Sequence, residues 1–221
     1  YSNLTMIVGQ SESLVAIVAP NNAADTTITW LSGNTSVATV NNGLVTSVAS
    51  GVTLITAISN SGKCTATCSI TVSYTDELYF TMGSANTITF YNSAGGNEIA
   101  IPPVINGNPV LHIGREAFNN KNLTYVVIPT GIQTIGEDAF RINSLDAISI
   151  PDSVVSIESC AFTQNQIKTL KIGSSVTKIG HNAFGGNKLK TVIIPNSVTT
   201  IEDFAFEGNS LENLTLGDNV T

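Results

Sequence analysis

The hexapeptide "IGEDAF" at residues 135–140 returns as "IESCAF", "IGHNAF" and "IEDFAF", each 22 residues further on. Aligned on that period, Ala-Phe pairs fall at Ala117-Phe118, Ala139-Phe140, Ala161-Phe162, Ala183-Phe184 and Ala205-Phe206. Other columns keep the same step: Ile113, Ile135, Ile157, Ile179, Ile201; Leu123, Leu145, Ile167, Leu189, Leu211; and Ile128, Ile150, Ile172, Ile194, Leu216. A fixed period in the twenties with apolar residues at constant offsets is the signature of a solenoid. A single coil cannot bury its apolar edge, whereas stacked coils share one continuous core. Five of the eight phenylalanines occupy one column, which predicts a phenylalanine spine along the far wall of that core.

The strand of each coil is predicted at the LxxLxI segment, as in "LTYVVIP", "LDAISIP" and "LKTVIIP". Asn143, Asn165, Asn187 and Asn209 stand two residues ahead of these segments. A buried Asn there can bond backbone groups left unpaired at the turn. Pro129, Pro151 and Pro195 end strands, with Gly173 and Gly217 in the same column. Glu158 and Glu202 replace the Gly of "IG", so that position does not require a positive φ.

Ahead of the repeat, residues 4–73 read as short period-2 runs: "LTMIV", "LVAIVAP", "TITWLS", "SVATVN", "GLVTSV", "TLITAIS" and "TATCSITV". Turn signals separate them, among them "PNNAAD", "NNG" and "SNSGK". About seven such strands describe a small β-sandwich. Trp30 is expected between the sheets. Three cysteines give no disulfide framework. Cys64 and Cys68 alternate with polar residues on one strand, about 13 Å apart at about 3.3 Å per residue, too far for a disulfide. They are expected as buried thiols that behave as small hydrophobes.

The stretch "ITWLSGNTSVATVNNGLVTSVASGVTLITAISNSGKCTATCSITV" closely resembles the bacterial immunoglobulin-like domain, group 2. The coils, in the pattern LxxLxIPxxVxxIGxxAFxxN, resemble the BspA-like leucine-rich repeat family. The upstream "YFTMGSANTITFYNSAGGNEIAIPPVINGNPVLHIGREAF" is similar to that family's N-terminal cap. Together they imply a mainly β chain: an Ig-like sandwich at 1–73, a β-hairpin cap at 74–112 and a leucine-rich-repeat solenoid of 22-residue coils at 113–221. The chain starts at Tyr1 without Met and stops part-way through a repeat, at "LGDNVT", so an excised portion of a longer protein is expected.

Hydrophobic residues make up 42% and charged residues 11%, a β-rich composition unlike disorder. The formal charge of −7 argues against nucleic acid, whose phosphates demand a basic face. No run approaches the roughly 20 apolar residues of a membrane span. His112 and His181 lie in different columns, read as turn residues, and no Cys, His or Asp cluster has metal-ligand spacing. No GxGxxG or Walker pattern occurs, and no cofactor is expected. Glu137 and Asp203 share a column three coils apart, about 14 Å at about 4.8 Å per coil. That exceeds the roughly 9.5 Å limit for a glycosidase carboxylate pair, so no catalytic residues are assigned.

What remains is a surface. Outward strand positions form the columns Tyr125, Ala147, Thr169, Thr191, Asn213 and Val127, Ser149, Lys171, Ile193, Thr215. Tyr125, Val127, Lys171 and Ile193 are the candidate binding residues, since solenoids bind through such faces and Tyr is favoured at interfaces. Lysines gather at 168, 171, 178, 188 and 190. Asp146–Lys168 and Lys190–Glu212 are expected cross-coil pairs, which leaves Lys171 unpartnered on the face. The resemblances imply a secreted or cell-surface bacterial protein, acting as a monomer, in which an Ig-like stalk presents a repeat face for adhesion. Its partner would be a protein or polysaccharide of the host or cell surface. An accessory module of a secreted glycan-degrading enzyme and a purely structural spacer are the alternatives.

Overall fold

Alternation in the first unit, Tyr1–Tyr74, yields seven strands among the described residues. The computed structural model describes residues 3–19, 25–60 and 64–220. The strands are β1 (Asn3–Ile7), β2 (Ser11–Ser13), β3 (Ile28–Ser32), β4 (Ala38–Asn41), β5 (Leu44–Ser47), β6 (Gly51–Ser59) and β7 (Thr65–Ser73). They form two sheets in the orders β1-β7-β6-β3 and β2-β5-β4. Pairing is antiparallel except for β1, which lies parallel to β7 with Leu4 opposite Ile70. Met6, Val45, Ile55, Ile70 and Val72 fill the core, each at most 2% exposed.

Two expectations fail in this unit, the strand at 14–20 and the burial of Cys64. The run 14–20 is no strand over its described part: the paired residues are Ser11–Ser13, and Val15 and Ile17 are each 81% exposed. Leu14 still turns inward, its amide donating to the Gly43 carbonyl at 2.8 Å. Alternation decides which side chains face in; pairing needs a neighbour alongside. Trp30 does face the second sheet, sharing the inner face with buried Ala57 and lying against Gly43 between β4 and β5, and it is half-buried on the edge strand β3. Cys68 is buried, but Cys64 precedes β7 and is exposed. The turn signals at 20–24 and 61–63 lie outside the described residues.

The second unit, Thr75–Thr221, is the solenoid. Each coil carries two short strands on opposite sides of the core, where the sequence reading placed one. The expected LxxLxI strands are present as Tyr125–Val127, Ala147–Ser149, Thr169–Lys171, Thr191–Ile193 and Asn213–Thr215. Opposite them, two-residue strands ending in the repeated Ile (His112–Ile113, Thr134–Ile135, Ser156–Ile157, Lys178–Ile179, Thr200–Ile201) build a parallel ladder. Here His112 is a strand residue and not a turn residue; its Nδ1 lies 2.8 Å from the Thr134 hydroxyl.

Between the ladders run the phenylalanines. Phe118, Phe140, Phe162 and Phe184 are fully buried and stack at 4.8, 5.2 and 5.2 Å between centroids, with Phe206 a further 5.6 Å along. Near-parallel rings at this spacing follow from the coil repeat, since identical positions in successive coils stand one strand spacing apart. The cap continues the spine. β8 (Phe80–Met82) and β9 (Thr87–Tyr91) form an antiparallel hairpin, and the Tyr91 ring stacks on Phe118 at 5.4 Å. Burial pushes the Tyr91 phenol up to about 12, and its hydroxyl donates to the Gly96 carbonyl at 2.9 Å. β9 also joins the back ladder, Ile88 opposite Ile113, so the solenoid core has no bare N-terminal end.

The asparagine column acts as anticipated. Asn165 Nδ2 donates to the carbonyls of Phe140 and Phe162 at 2.9 and 3.1 Å, while its Oδ1 accepts from the Leu145 amide at 3.1 Å. Asn143, Asn187 and Asn209 repeat this, each tying its own coil to the one before. The turns themselves hold two positive-φ columns that sequence reading did not locate. One is Glu116, Asp138, Cys160, Asn182, Phe204; the other is Asn120, Ile142, Gln164, Gly186, Gly208. Neither is the Gly of "IG". Gly180 sits there for closeness: a Cβ on it would lie 2.7 Å from the backbone of Glu158 and Ser159.

Candidate binding face

The LxxLxI strands place one set of side chains in the core and the other in solvent. Val126, Ile148 and Val192 point inward and are buried, so Tyr125, Val127, Ala147, Ser149, Thr169, Lys171, Thr191 and Ile193 point outward. Pairing along this face comes in three two-stranded pieces: Glu98–Ala100 with Tyr125–Val127, Ala147–Ser149 with Thr169–Lys171, and Thr191–Ile193 with Asn213–Thr215. Glu98–Ala100 was missed as a face strand. Its signal was present, since "EIAIP" at 98–102 repeats "YVVIP" at 125–129, but 27 residues apart instead of 22.

The four candidate residues do not converge equally. Tyr125 and Val127 are half-buried neighbours on one strand, Lys171 is exposed two strands away, and Ile193 is 65% exposed one strand further. Tyr125, Val127 and Lys171 line one depression of about 500 Å³ over Ala147 and Ser149, which Thr130 and Asp152 also line. Ile193 lies outside it. Burial, then the Glu98 carboxylate, raises the Tyr125 phenol, which therefore keeps its proton and can donate at neutral pH. Hydrogen bonds from the Ser174 backbone and side chain lower the Asp152 carboxyl, with a smaller contribution from Lys171, so it is anionic there.

The cluster of lysines resolves into separate roles. Lys168 pairs with Asp146 at 2.6 Å and Lys190 with Glu212 at 2.8 Å, as the columns implied. All four side chains are more than 60% exposed, so each pair contributes well under about 1 kcal/mol. Lys178 belongs to the opposite ladder, where its ammonium bridges Glu158 and Glu202 at 3.1 Å each. Lys171 is left facing the depression with no ion pair of its own among the described residues.

Among the described residues the remaining charged groups stand in separate contacts. Glu137 meets Arg115 at 3.7 Å, and the His181 amide donates to Glu202 while its ring stands edge-on to Phe204 at 5.4 Å. Among the described residues no group of three or more His, Cys, Asp or Glu side chains is placed to hold a metal ion. No described helix is long and apolar enough to cross a membrane.

A family model described as the BspA type leucine rich repeat region matches residues 111–221 in six copies. One described as the bacterial Ig-like domain (group 2) matches residues 1–70. Among solved structures, the leucine-rich repeat protein of T. pallidum is similar in fold, with a TM-score of 0.54 and 23% identity over 65% of this chain and 82% of that one. A leucine-rich repeat protein from Bacteroides ovatus gives a TM-score of 0.56 and 31% identity over 64% of this chain. The match spans only 40% of the Bacteroides ovatus protein's length. No curated protein matches the chain.

Proposed function

The chain belongs to the BspA-type leucine-rich repeat family, whose repeats occupy half of it, and on that premise we propose that it is a non-catalytic adhesion protein, secreted or displayed on a bacterial surface. The solenoid presents its LxxLxI face to a protein or polysaccharide of the host, the matrix or another cell, and the Ig-like unit serves as a spacer. The observation that carries this reading is the division of labour within each coil. Phe, Ile and Asn columns satisfy core and backbone internally, and the outward residues Tyr125, Val127, Lys171 and Ile193 lie outside that core. Side chains released from structural duty on a broad, regular face are what solenoids use for recognition. Charged groups such as Glu137, Glu158 and Glu202 are held in surface pairs instead of converging in a cleft.

A screen of the intact chain against immobilised matrix proteins and polysaccharides tests this. Binding by the native chain that is lost in a folded Tyr125→Ala/Lys171→Ala/Ile193→Ala variant is the expected result. Binding that survives all three substitutions would place recognition elsewhere and overturn the assignment of the face.

A further inference from the structure

Resting on the reading of the LxxLxI ladder as the binding surface, we propose that the depression over the second coil is a subsite for a linear glycan in which a uronate sugar alternates with neutral sugars. The floor is the short side chains of Ala147 and Ser149; Tyr125 and Val127 rise on one side, Thr169 and Lys171 on the other. The two walls stand two strand spacings apart, about 10 Å, which admits one extended chain lying along the strands.

The chemistry of the walls selects the occupant. The half-buried Tyr125 ring offers apolar surface with a hydroxyl at its tip, suited to a pyranose that is apolar on its C–H face and polar at its rim. Ser149, Thr130 and Thr169 add neutral hydroxyls, and Asp152 is an acceptor fixed by the Ser174 amide at 2.8 Å. Lys171 is the cation, with no carboxylate of this chain within ion-pair distance among the described residues. A single carboxylate on the ligand satisfies it. A polyanion charged on every ring does not fit as well, because Asp152 lines the same depression and repels a second anionic group there. An extended peptide is disfavoured by geometry: strand addition needs a free sheet edge, whereas this depression is a sheet face whose main-chain groups run along the ladder.

The probe is a hyaluronan hexasaccharide, titrated into the intact chain and followed calorimetrically. A neutral chitin hexasaccharide, a fully sulfated heparin hexasaccharide and a poly-glutamate peptide serve as comparisons. Hyaluronan is expected to bind most tightly, with an affinity that falls about tenfold in Lys171→Gln, the loss of one charge-assisted contact. Ser149→Trp, which fills the depression without touching the core, is expected to abolish binding while the circular dichroism stays native. Equal affinity for the neutral oligosaccharide, no response to Lys171→Gln, or no binding at about 1 mM would each overturn the proposal. If a protein ligand is lost in the triple face variant while hyaluronan never binds, this inference fails alone. Hyaluronan binding untouched by any face substitution would sink both it and the functional reading beneath it.

Discussion

At the scale of single residues, the coil is defined by what its backbone must do at the turns. Ile142 and Gln164 stand at φ 53° and 58° in a column that Gly186 and Gly208 occupy further along. A left-handed conformation costs an L-residue about 1–2 kcal/mol, least for Asn. A Cβ added at Gly186 would meet Gln164 at 3.8 Å, an ordinary van der Waals contact without a clash. Gly186→Val is therefore predicted to lower unfolding stability by about 1–2 kcal/mol through the backbone alone, while Gly186→Asn, matching Asn120, costs much less. Urea unfolding of the two variants compares them directly. Asn165 is a different case, 1% exposed with its amide nitrogen aimed at two carbonyls. Asn165→Asp removes those donors and sets a carboxylate against them, leaving buried acceptors unpaired at about 1–3 kcal/mol each. Burial and the facing carbonyls must raise that carboxyl above its unfolded value. The defect is thus full at neutral pH and shrinks as pH falls through the raised folded value, the reverse of ordinary acid denaturation. The column that holds Asn165 was readable because one residue type repeats. The positive-φ columns were not, because Glu116, Asp138, Cys160, Asn182 and Phe204 share a conformation and no chemistry.

At the scale of elements, the spine and the two ladders carry different loads. Phe162 is fully buried between rings on both sides, and Phe162→Ala is predicted to cost about 3–5 kcal/mol. Phe206 is half-buried with one stacked neighbour, so Phe206→Ala costs clearly less. Denaturant midpoints of the two variants give the comparison. On the back ladder, hydrogen bonds to Glu202 and then Glu158 raise the Lys178 ammonium, and bonds from Lys178 and the His181 amide lower the Glu202 carboxyl. The Glu202 contribution is present above its unfolded value, about 4.3, and lost as pH falls through the lower folded one. The Lys178 contribution is present below about 10.4 and lost as pH rises through its raised value. These side chains are 35–37% exposed, so Glu202→Gln is predicted to cost under about 1 kcal/mol at pH 7 and to lose that effect in 1 M salt. The LxxLxI strands were legible from their alternation. The back ladder was not, since a two-residue strand such as Thr134–Ile135 is too short to show a period, and its pairing exists only between coils. In the sandwich the same limit appears in reverse: 14–18 alternates well and yet is not paired as a strand.

At the scale of the whole molecule, the repeat dictates a core that is continuous along the stack and a face that is almost free of structural constraint. Legibility follows that division. Columns that must be alike to stack, the Ile, Phe and Asn positions, declare themselves in the sequence. The outward columns differ from coil to coil, and so their grouping into a depression around Ser149, with Ile193 left outside, emerges only from the fold. The central claim is that recognition uses the LxxLxI ladder and not the ladder behind it. The most direct test adds the same bulk and charge to each: Ser149→Arg on the front and Thr200→Arg on the back, both exposed positions, compared with the native chain in binding to a common matrix or polysaccharide surface. Loss of binding in Ser149→Arg with native affinity in Thr200→Arg is the predicted result. Loss in Thr200→Arg with Ser149→Arg unaffected would contradict it.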